Sequence, residues 1–170
     1  MRIPSAALGS AVFFVVAPVI VAGVLPWWIG HAGSAADAAR PVTTTVGWLL
    51  IVIGALALVD SFVRFVRQGR GTPAPVAPTE DLVVTGLYRY VRNPMYLAVL
   101  AVVLGQAVLF WSPGVLLYGC VVAAAVVTFV HTYEEPTLSS RYGDQYADYV
   151  AAVPGWIPRL SPGWPPSDGS

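Results

Sequence analysis

The chain has 170 residues, of which 56% are apolar and 11% are charged, and its mean hydropathy is +0.69. Soluble domains typically contain about 45–50% apolar and about 25% charged residues, so this composition excludes an ordinary soluble globule. Nine arginines balance nine acidic residues, and a zero net charge provides no basic field for binding nucleic acid. The composition therefore predicts an all-α polytopic membrane protein.

Four apolar segments are long enough, or nearly long enough, for a membrane-spanning helix, which needs about 20 mostly apolar residues. They cover residues 5–29, 42–66, 94–111 and 114–133. The third and fourth segments are separated only by a short turn containing Ser112 and Pro113. We therefore expect about four transmembrane helices, the last two forming an antiparallel hairpin.

The first apolar segment has a second interpretation, as a cleaved secretory signal. Arg2 precedes the apolar run, and residues 36–38 have the A-x-A form of a cleavage site. The run is, however, longer than the roughly 7–15 residues of a signal core. Trp27 and Trp28, at the end of the run, are typical of residues that anchor a helix at the membrane interface, which favours a retained helix.

Arginine placement predicts the orientation in the membrane. Most arginines lie between the second and third segments or after the fourth, whereas the loops on the opposite side hold only Arg40. By the positive-inside rule, the N- and C-termini should be cytoplasmic, in a bacterial-type inner or plasma membrane. The lipid bilayer is thus one expected partner.

We expect the chain to divide into an N-terminal two-helix part (1–66), a core (67–160) and a tail (161–170). The core begins with a proline- and glycine-rich linker and ends with apolar residues at helical spacing. This stripe includes several tyrosines, so it predicts a C-terminal amphipathic helix lying at the headgroups. The tail is rich in proline, glycine and serine, which predicts disorder.

Two polar clusters should meet at one end of the predicted hairpin. Asn93 and Pro94 are typical of a helix start, and Glu134-Glu135 follows the fourth segment. Each of the two helices of the hairpin has about 20 residues and is therefore about 30 Å long at 1.5 Å per residue. The glutamates thus return to the same end of the hairpin as Asn93. Arginines and carboxylates together are suited to a ligand that carries both charge signs.

These clusters belong to a longer ordered pattern. Residues 86–96 read GLYRYVRNPMY, and they are followed by Glu134-Glu135, by Tyr142-Gly143 with Tyr146 and Tyr149, and by the segment 153–158. The pattern, over roughly residues 80–160, resembles the isoprenylcysteine carboxyl methyltransferase and phospholipid methyltransferase group. These are integral-membrane enzymes that use S-adenosylmethionine.

The resemblance implies a cofactor site and a catalytic pair. Arg92 and Glu135 are the catalytic candidates. The cofactor-binding candidates are Tyr88, Arg89, Arg92, Asn93, Pro94, Tyr96, Glu134, Glu135, Tyr146 and Tyr149. The chain departs from the group where Asn93 replaces a frequent histidine and Gly155 a frequent arginine. The implied function is transfer of a methyl group to a lipophilic or small acceptor, namely a carboxylate, a thiol or a lipid amine.

The sequence leaves other interpretations open. A non-catalytic accessory protein of the same fold would lack cofactor binding, and a different cofactor could occupy the same pocket. A transporter is disfavoured because the middle helices are almost wholly apolar. The sequence contains no glycine-rich dinucleotide motif of the Rossmann type.

Three features outside the pattern have simple structural interpretations. His131 and Glu135 share a helical face, but two ligands are too few for a metal site, so none is expected. Asp60 lies one turn from Arg64, which favours a local ion pair over a substrate role. Gly105 is expected to permit close helix packing.

Overall fold

The computed structural model describes residues 16–33, 41–68, 82 and 84–164, and every regular element in these ranges is helical. The predicted all-α class is therefore confirmed for this part of the chain. The A-x-A site at 36–38 and the first residues of the first apolar segment lie outside it. The elements are a π-helical segment Val19–Val24 leading into α1 (Leu25–Gly33), α2 (Pro41–Gln68), a 3-10 turn (Gly86–Arg89), α3 (Pro94–Leu109), α4 (Pro113–Phe129), a π-helical segment Val130–Glu134, α5 (Glu135–Tyr142) and α6 (Asp144–Ala152).

Two helical runs are long and apolar enough to cross a membrane. They are Pro41–Arg64 and the continuous run Pro113–Tyr142, while the apolar helices Val16–His31 and Pro94–Leu109 are shorter. Only 17% and 11% of the most apolar stretches of the two long runs are buried, unlike the core helices of soluble proteins. Their apolar surface is thus left for lipid, and the arrangement with four spans stays a prediction.

The predicted hairpin is formed by α3 and α4. Its turn places Trp111 at a positive φ of 49°, and Ser112 then caps α4 by accepting a hydrogen bond from Val115 N–H. Pro113 occupies the first turn of α4, where its missing N–H has no cost. The turn therefore reverses the chain within three residues.

Small residues bring α2 and α3 into backbone contact. A Cβ placed on Gly105 would lie 2.8 Å from the Gly47 carbonyl oxygen, and one on Gly54 would lie 2.8 Å from that of Ala98. Close approach of this kind is how helices associate inside a membrane. The packing role predicted for Gly105 is confirmed.

The π-helical segment that leads into α1 is attached to the hairpin by two polar side chains. Pro26 has no N–H, so this part of the helix has one backbone donor fewer for the carbonyls four and five residues before it. Gln106 Nε2 donates to the Ala22 carbonyl at 2.5 Å, and Tyr118 Oη donates to that of Val21 at 2.8 Å. These bonds satisfy backbone groups that would otherwise lack partners in an apolar layer.

The fourth helix does not end near Tyr133, which corrects the sequence-based boundary. Glu135 N–H donates to the Val130 carbonyl five residues earlier, and the helix continues to Tyr142. The wide turn immediately precedes Pro136, which has no N–H to donate. The glutamate pair therefore lies within a helical run rather than at its unfavourable C-terminus.

The C-terminal amphipathic helix is broken into two short helices, which corrects a second expectation. Gly143, at a φ of +51°, separates α5 from α6 in a conformation that favours glycine. The tyrosine stripe does not face the headgroups, because Tyr146 and Tyr149 are only 6% and 3% exposed. Both pack with Val153 in a cluster on the protein itself.

Residues 153–164, here called the C-terminal strap, run back along the segment that precedes α3. Residues 161–164 belong to this contact, which differs from the disorder expected from Ser161 onward, and residues 165–170 lie outside the described ranges. Three backbone N–H groups join the strap to that segment, Arg92 to Pro154 at 2.9 Å, Arg159 to Tyr90 at 3.0 Å and Gly163 to Arg89 at 2.8 Å. The strap fixes the backbone from which Arg92 and Asn93 project.

Candidate functional site

The site begins where the chain enters α3. Asn93 occupies the predicted N-cap position, but its side chain makes no capping bond. Instead, Asn93 Nδ2 donates to the Gly155 carbonyl of the strap at 3.1 Å. Pro94 forms the first turn of α3 and is buried. The Asn-Pro pair thus starts the helix as predicted, and the asparagine side chain additionally anchors the strap.

Arg92 and Glu135 form an ion pair between this segment and the start of α5. Arg92 Nη1 donates to Glu135 Oε1 at 2.8 Å, and the same nitrogen is 3.3 Å from the Tyr146 hydroxyl. The two charged side chains are only 15% and 25% exposed. Arg92 Nε is buried without a hydrogen-bond partner among the described residues. The guanidinium therefore retains donor capacity inside the site.

The space beside the guanidinium depends on Gly155. A Cβ at this position would lie 3.2 Å from Arg92 Nη2. That separation is tighter than an ordinary van der Waals contact, so a larger residue would displace the guanidinium. Glycine at position 155, in place of the arginine that is frequent in the resembling group, thus leaves space for the Arg92 guanidinium.

The second glutamate contacts a different side chain. Tyr96 Oη donates to Glu134 Oε2 at 2.8 Å, joining the first turn of α3 to the π-helical segment. A hydroxyl donor of this kind fixes the carboxylate without neutralising it. The adjacent glutamates are therefore held by different partners, a cation and a phenol.

Three buried tyrosines line or support the site in their neutral form. Tyr149 Oη donates to the Tyr88 carbonyl at 2.7 Å, which ties α6 to the 3-10 turn. Burial raises the pKa of Tyr88, Tyr146 and Tyr149 above the usual value for a phenol. All three hydroxyls thus remain hydrogen-bond donors through the physiological pH range.

A small cavity of about 30 Å³ lies at this point, between the start of α3 and the run that contains the glutamate pair. Six of the predicted site residues line it, together with two apolar residues, Val130 and Leu138. The lining residues are Arg92, Asn93, Val130, Glu134, Glu135, Leu138, Tyr146 and Tyr149. Sequence reasoning did not assign Val130 to the site, because its place there depends on the π-helical turn.

The other four predicted residues do not line the cavity. Tyr88 accepts a hydrogen bond from Tyr149, and Tyr96 donates one to Glu134, so each contacts a residue that lines the cavity. Pro94 forms helix backbone. Arg89 Nε donates to the Trp164 carbonyl of the strap. Arg89 thus contributes to the strap rather than to the pocket.

The ion pair predicted between Asp60 and Arg64 is confirmed. Arg64 Nε donates to Asp60 Oδ2 at 2.8 Å, and the guanidinium lies over Gly86, where a Cβ would overlap with it. Both side chains are about one-third exposed, so the pair contributes about 0–1 kcal/mol. The pair therefore positions the 3-10 turn against α2.

Fold and site together define a helical protein with exposed apolar helices and a charged pocket where two of them meet. Residues 42–145 match the phospholipid methyltransferase family, and the chain belongs to that family. The match covers α2 and the hairpin, and it ends within α6. No curated protein matches the chain.

Membership of this family agrees with the exposed apolar helices, and together they indicate an integral membrane protein. At the level of the family, the chain is a methyltransferase. The long-range contacts of the site lie partly beyond the matched region, since Tyr146, Tyr149 and the strap follow residue 145. The pocket is therefore closed by a segment that lies outside the match.

Replacing Asn93 with alanine should release the strap. The substitution removes the hydrogen bond to Gly155 but no capping bond. We therefore expect the free energy of unfolding to fall by about 1 kcal/mol. Limited proteolysis in detergent should then cleave residues 154–164 faster than in the unmodified protein. Thr128→Ala, which removes a bond within a single helix, is the matched control. Equal cleavage rates for Asn93→Ala and the unmodified protein would contradict an anchoring role.

Proposed function

We propose that this protein is an S-adenosylmethionine-dependent methyltransferase of the membrane, acting on a lipophilic or small acceptor. The observation that carries the proposal is the Arg92–Glu135 pair facing the cavity, with Arg92 Nε still without a partner in the described part of the chain. An enclosed guanidinium with spare donors is a site for a carboxylate. The cofactor carries such a carboxylate next to an ammonium group.

The donor set of the cavity fits this cofactor. Arg92 would hold its carboxylate, whereas Glu134 and Glu135 would accept hydrogen bonds from its ammonium or ribose hydroxyls. Val130 and Leu138 supply an apolar wall, and the ring faces of Tyr146 and Tyr149 suit a sulfonium. The cavity of about 30 Å³ is far smaller than the roughly 300–1,000 Å³ typical of ligand pockets, so binding would require the site to open around the cofactor.

The chemistry supplied by the bound cofactor is an electrophilic methyl group on a positively charged sulfur. The residues of the chain would orient the two reactants and exclude water, which supplies much of the rate in a displacement. Arg92 and Glu135 are proposed as the catalytic pair because both face the cavity. The acceptor would be a carboxylate, a thiol or a lipid amine, and it would enter from the bilayer.

The proposed topology follows the sequence-based orientation. Four helices would cross or enter the bilayer, with both termini and the site at the cytoplasmic face. The cofactor would then reach the site from the cytoplasm. Cysteine accessibility on each side of the membrane tests this arrangement separately from the activity.

Calorimetry with S-adenosylmethionine is the direct test of the proposed function. We expect saturable binding to the purified protein in detergent and in lipid nanodiscs, competed by S-adenosylhomocysteine. Glu135→Ala should weaken binding at least about tenfold, because Arg92 loses its partner and swings away from the cavity. Thr137→Ala, on an exposed face of α5, should bind like the unmodified protein.

Absence of binding to folded protein in both environments would overturn the enzyme proposal. The accessory-protein interpretation would then account for the family fold. Competition by an unrelated nucleotide but not by S-adenosylhomocysteine would instead indicate a different cofactor in the same pocket.

A further inference from the structure

The C-terminal strap carries an exposed apolar surface that the pocket does not use. Every residue from 157 to 162, here called the strap tip, is exposed. The side chains of Ile157 and Leu160 are 79% and 105% exposed, so the protein covers little of the first and none of the second. Apolar side chains gain free energy when they leave water, and a contiguous exposed apolar surface marks an interaction site.

The strap tip is fixed to the protein on both sides. Arg159 N–H donates to the Tyr90 carbonyl at 3.0 Å, within the tip itself. Trp164, two residues after the tip, packs edge-on against the Tyr149 ring with 6.0 Å between the ring centroids. The outward direction of the apolar side chains is therefore a property of the folded strap.

The strap lies at the level where the apolar helices end. The apolar run Pro41–Arg64 has 24 residues and is about 36 Å long at 1.5 Å per residue, enough to cross a hydrocarbon core of about 30 Å. The Arg64 guanidinium at its end lies over Gly86. The segment from Gly86 to Pro94, the first residue of α3, is the one to which the strap is bonded. The strap is therefore at the boundary between hydrocarbon and water.

The composition of the strap is typical of this boundary. Residues 153–164 contain Trp156 and Trp164, and Arg159 is their only charged residue. Tryptophan is enriched at membrane–water interfaces, and an arginine there is attracted to lipid phosphates. An exposed surface with two large apolar side chains, one cation and no acid is thus complementary to phosphates that lie above acyl chains.

The backbone of the strap tip is also suited to a poorly hydrated layer. Pro158 and Pro162 have no N–H. The N–H groups of Arg159 and Gly163 already donate to carbonyls of the segment before α3. A backbone N–H that loses water without finding a partner costs free energy. These four residues therefore lower the cost of placing the tip among headgroups.

We propose that the strap tip inserts into the headgroup layer of the leaflet at this end of the hairpin. Ile157 and Leu160 are directed toward the acyl chains, and Arg159 toward lipid phosphates. The strap thereby takes the place at the headgroups that the sequence had indicated for the tyrosine stripe, which packs on the protein instead. The inference is independent of the proposed methyl transfer. Since Asn93 binds the Gly155 carbonyl of the strap, insertion also connects the leaflet to the pocket wall.

Fluorescence quenching by lipids tests the insertion directly. Cys120 is the only cysteine, so in a Cys120→Ala background Ile157→Cys or Leu160→Cys carries a single bimane label. Nanodiscs of phosphatidylcholine and phosphatidylglycerol provide the bilayer. We expect a nitroxide placed near the lipid headgroup to remove most of the emission of both labels, because interfacial segments lie about 5–10 Å deep. A nitroxide at the end of the acyl chain should remove less, and iodide in the water should remove little.

Ser140→Cys in the same background is the matched control. Ser140 is exposed on α5, about 9 Å further along its helical run than Glu134, and should therefore be quenched by iodide rather than by lipid. The labelled positions are exposed, so the substitutions should leave the fold intact, which circular dichroism checks.

Two results of this experiment would overturn the proposal. Labels on Ile157→Cys and Leu160→Cys that iodide quenches as strongly as the label on Ser140→Cys would place the tip in water. Emission protected from both iodide and lipid nitroxides would show that a second copy of the chain or another protein covers the tip.

A charge reversal tests the contact with phosphate separately. Arg159→Glu, added to the labelled Leu160→Cys protein, should weaken quenching by the headgroup nitroxide, because a carboxylate is repelled by phosphates. Arg141→Glu, which makes the same change on α5, should leave quenching as it was. Equal quenching in the two charge-reversal variants would overturn the role of Arg159.

Discussion

Arg92→Ala should abolish measurable binding of S-adenosylmethionine, with an increase in Kd of at least about 100-fold, or about 2.8 kcal/mol. The guanidinium is the cation of the cavity, and it also holds Glu135 and the Tyr146 hydroxyl. Its loss removes the partner of the cofactor carboxylate. It also leaves Glu135 without its cation beside Glu134, which adds repulsion where the ligand would bind.

Two further variants separate charge from geometry. Arg92→Lys keeps the charge but loses the planar fork of donors, so we expect binding between that of the unmodified protein and Arg92→Ala. Arg141→Ala removes an exposed arginine that lies 5.8 Å from the Tyr142 ring on the same run, and it should bind normally. Calorimetry of the three variants, each checked for folding by circular dichroism, shows whether binding needs the charge of Arg92 or also its planar set of donors. Normal binding by folded Arg92→Ala would place the cofactor elsewhere.

The convergence of Arg92 and Glu135 could be predicted because helix geometry is regular. Two arms of about 20 residues, joined by a short turn, must return the chain to its starting level. The contact of His131 with Glu135 was visible for the same reason, as a spacing of four within a helix. Both contacts follow from the rise and spacing within helices that the sequence already indicated.

The parts that could not be predicted depend on contacts between distant segments. Asn93 and Gly155 are 62 residues apart, and a residue typical of an N-cap gave no sign that its side chain would anchor the strap. The tyrosine stripe after Gly143 has the spacing of an amphipathic helix. Spacing alone does not show whether such a stripe faces lipid headgroups or, as in this protein, the body of the protein itself.

Gly105→Val should prevent α2 and α3 from packing, and it should destabilise the protein more than loss of the Asn93 anchor does. A Cβ at Gly105 would lie 2.8 Å from the Gly47 carbonyl oxygen, 2.8 Å from Ile51 Cγ1 and 3.0 Å from Ile51 N. Two of these neighbours are backbone atoms, so the helices must separate. Overpacking typically costs about 1–3 kcal/mol, and valine adds two methyl groups beyond the clashing Cβ.

The effect should extend to the site, because α3 carries Asn93 and Tyr96 at its other end. The expected result is a thermal midpoint in detergent lowered well below that of the unmodified protein, with cofactor binding lost in parallel. Gly105→Ala should show a smaller decrease in the same direction. Gly23→Ala is the matched control, since a Cβ there meets nothing within 4 Å and alanine favours a helix. A midpoint for Gly105→Val equal to that of Gly23→Ala would show that α2 and α3 do not meet at this glycine.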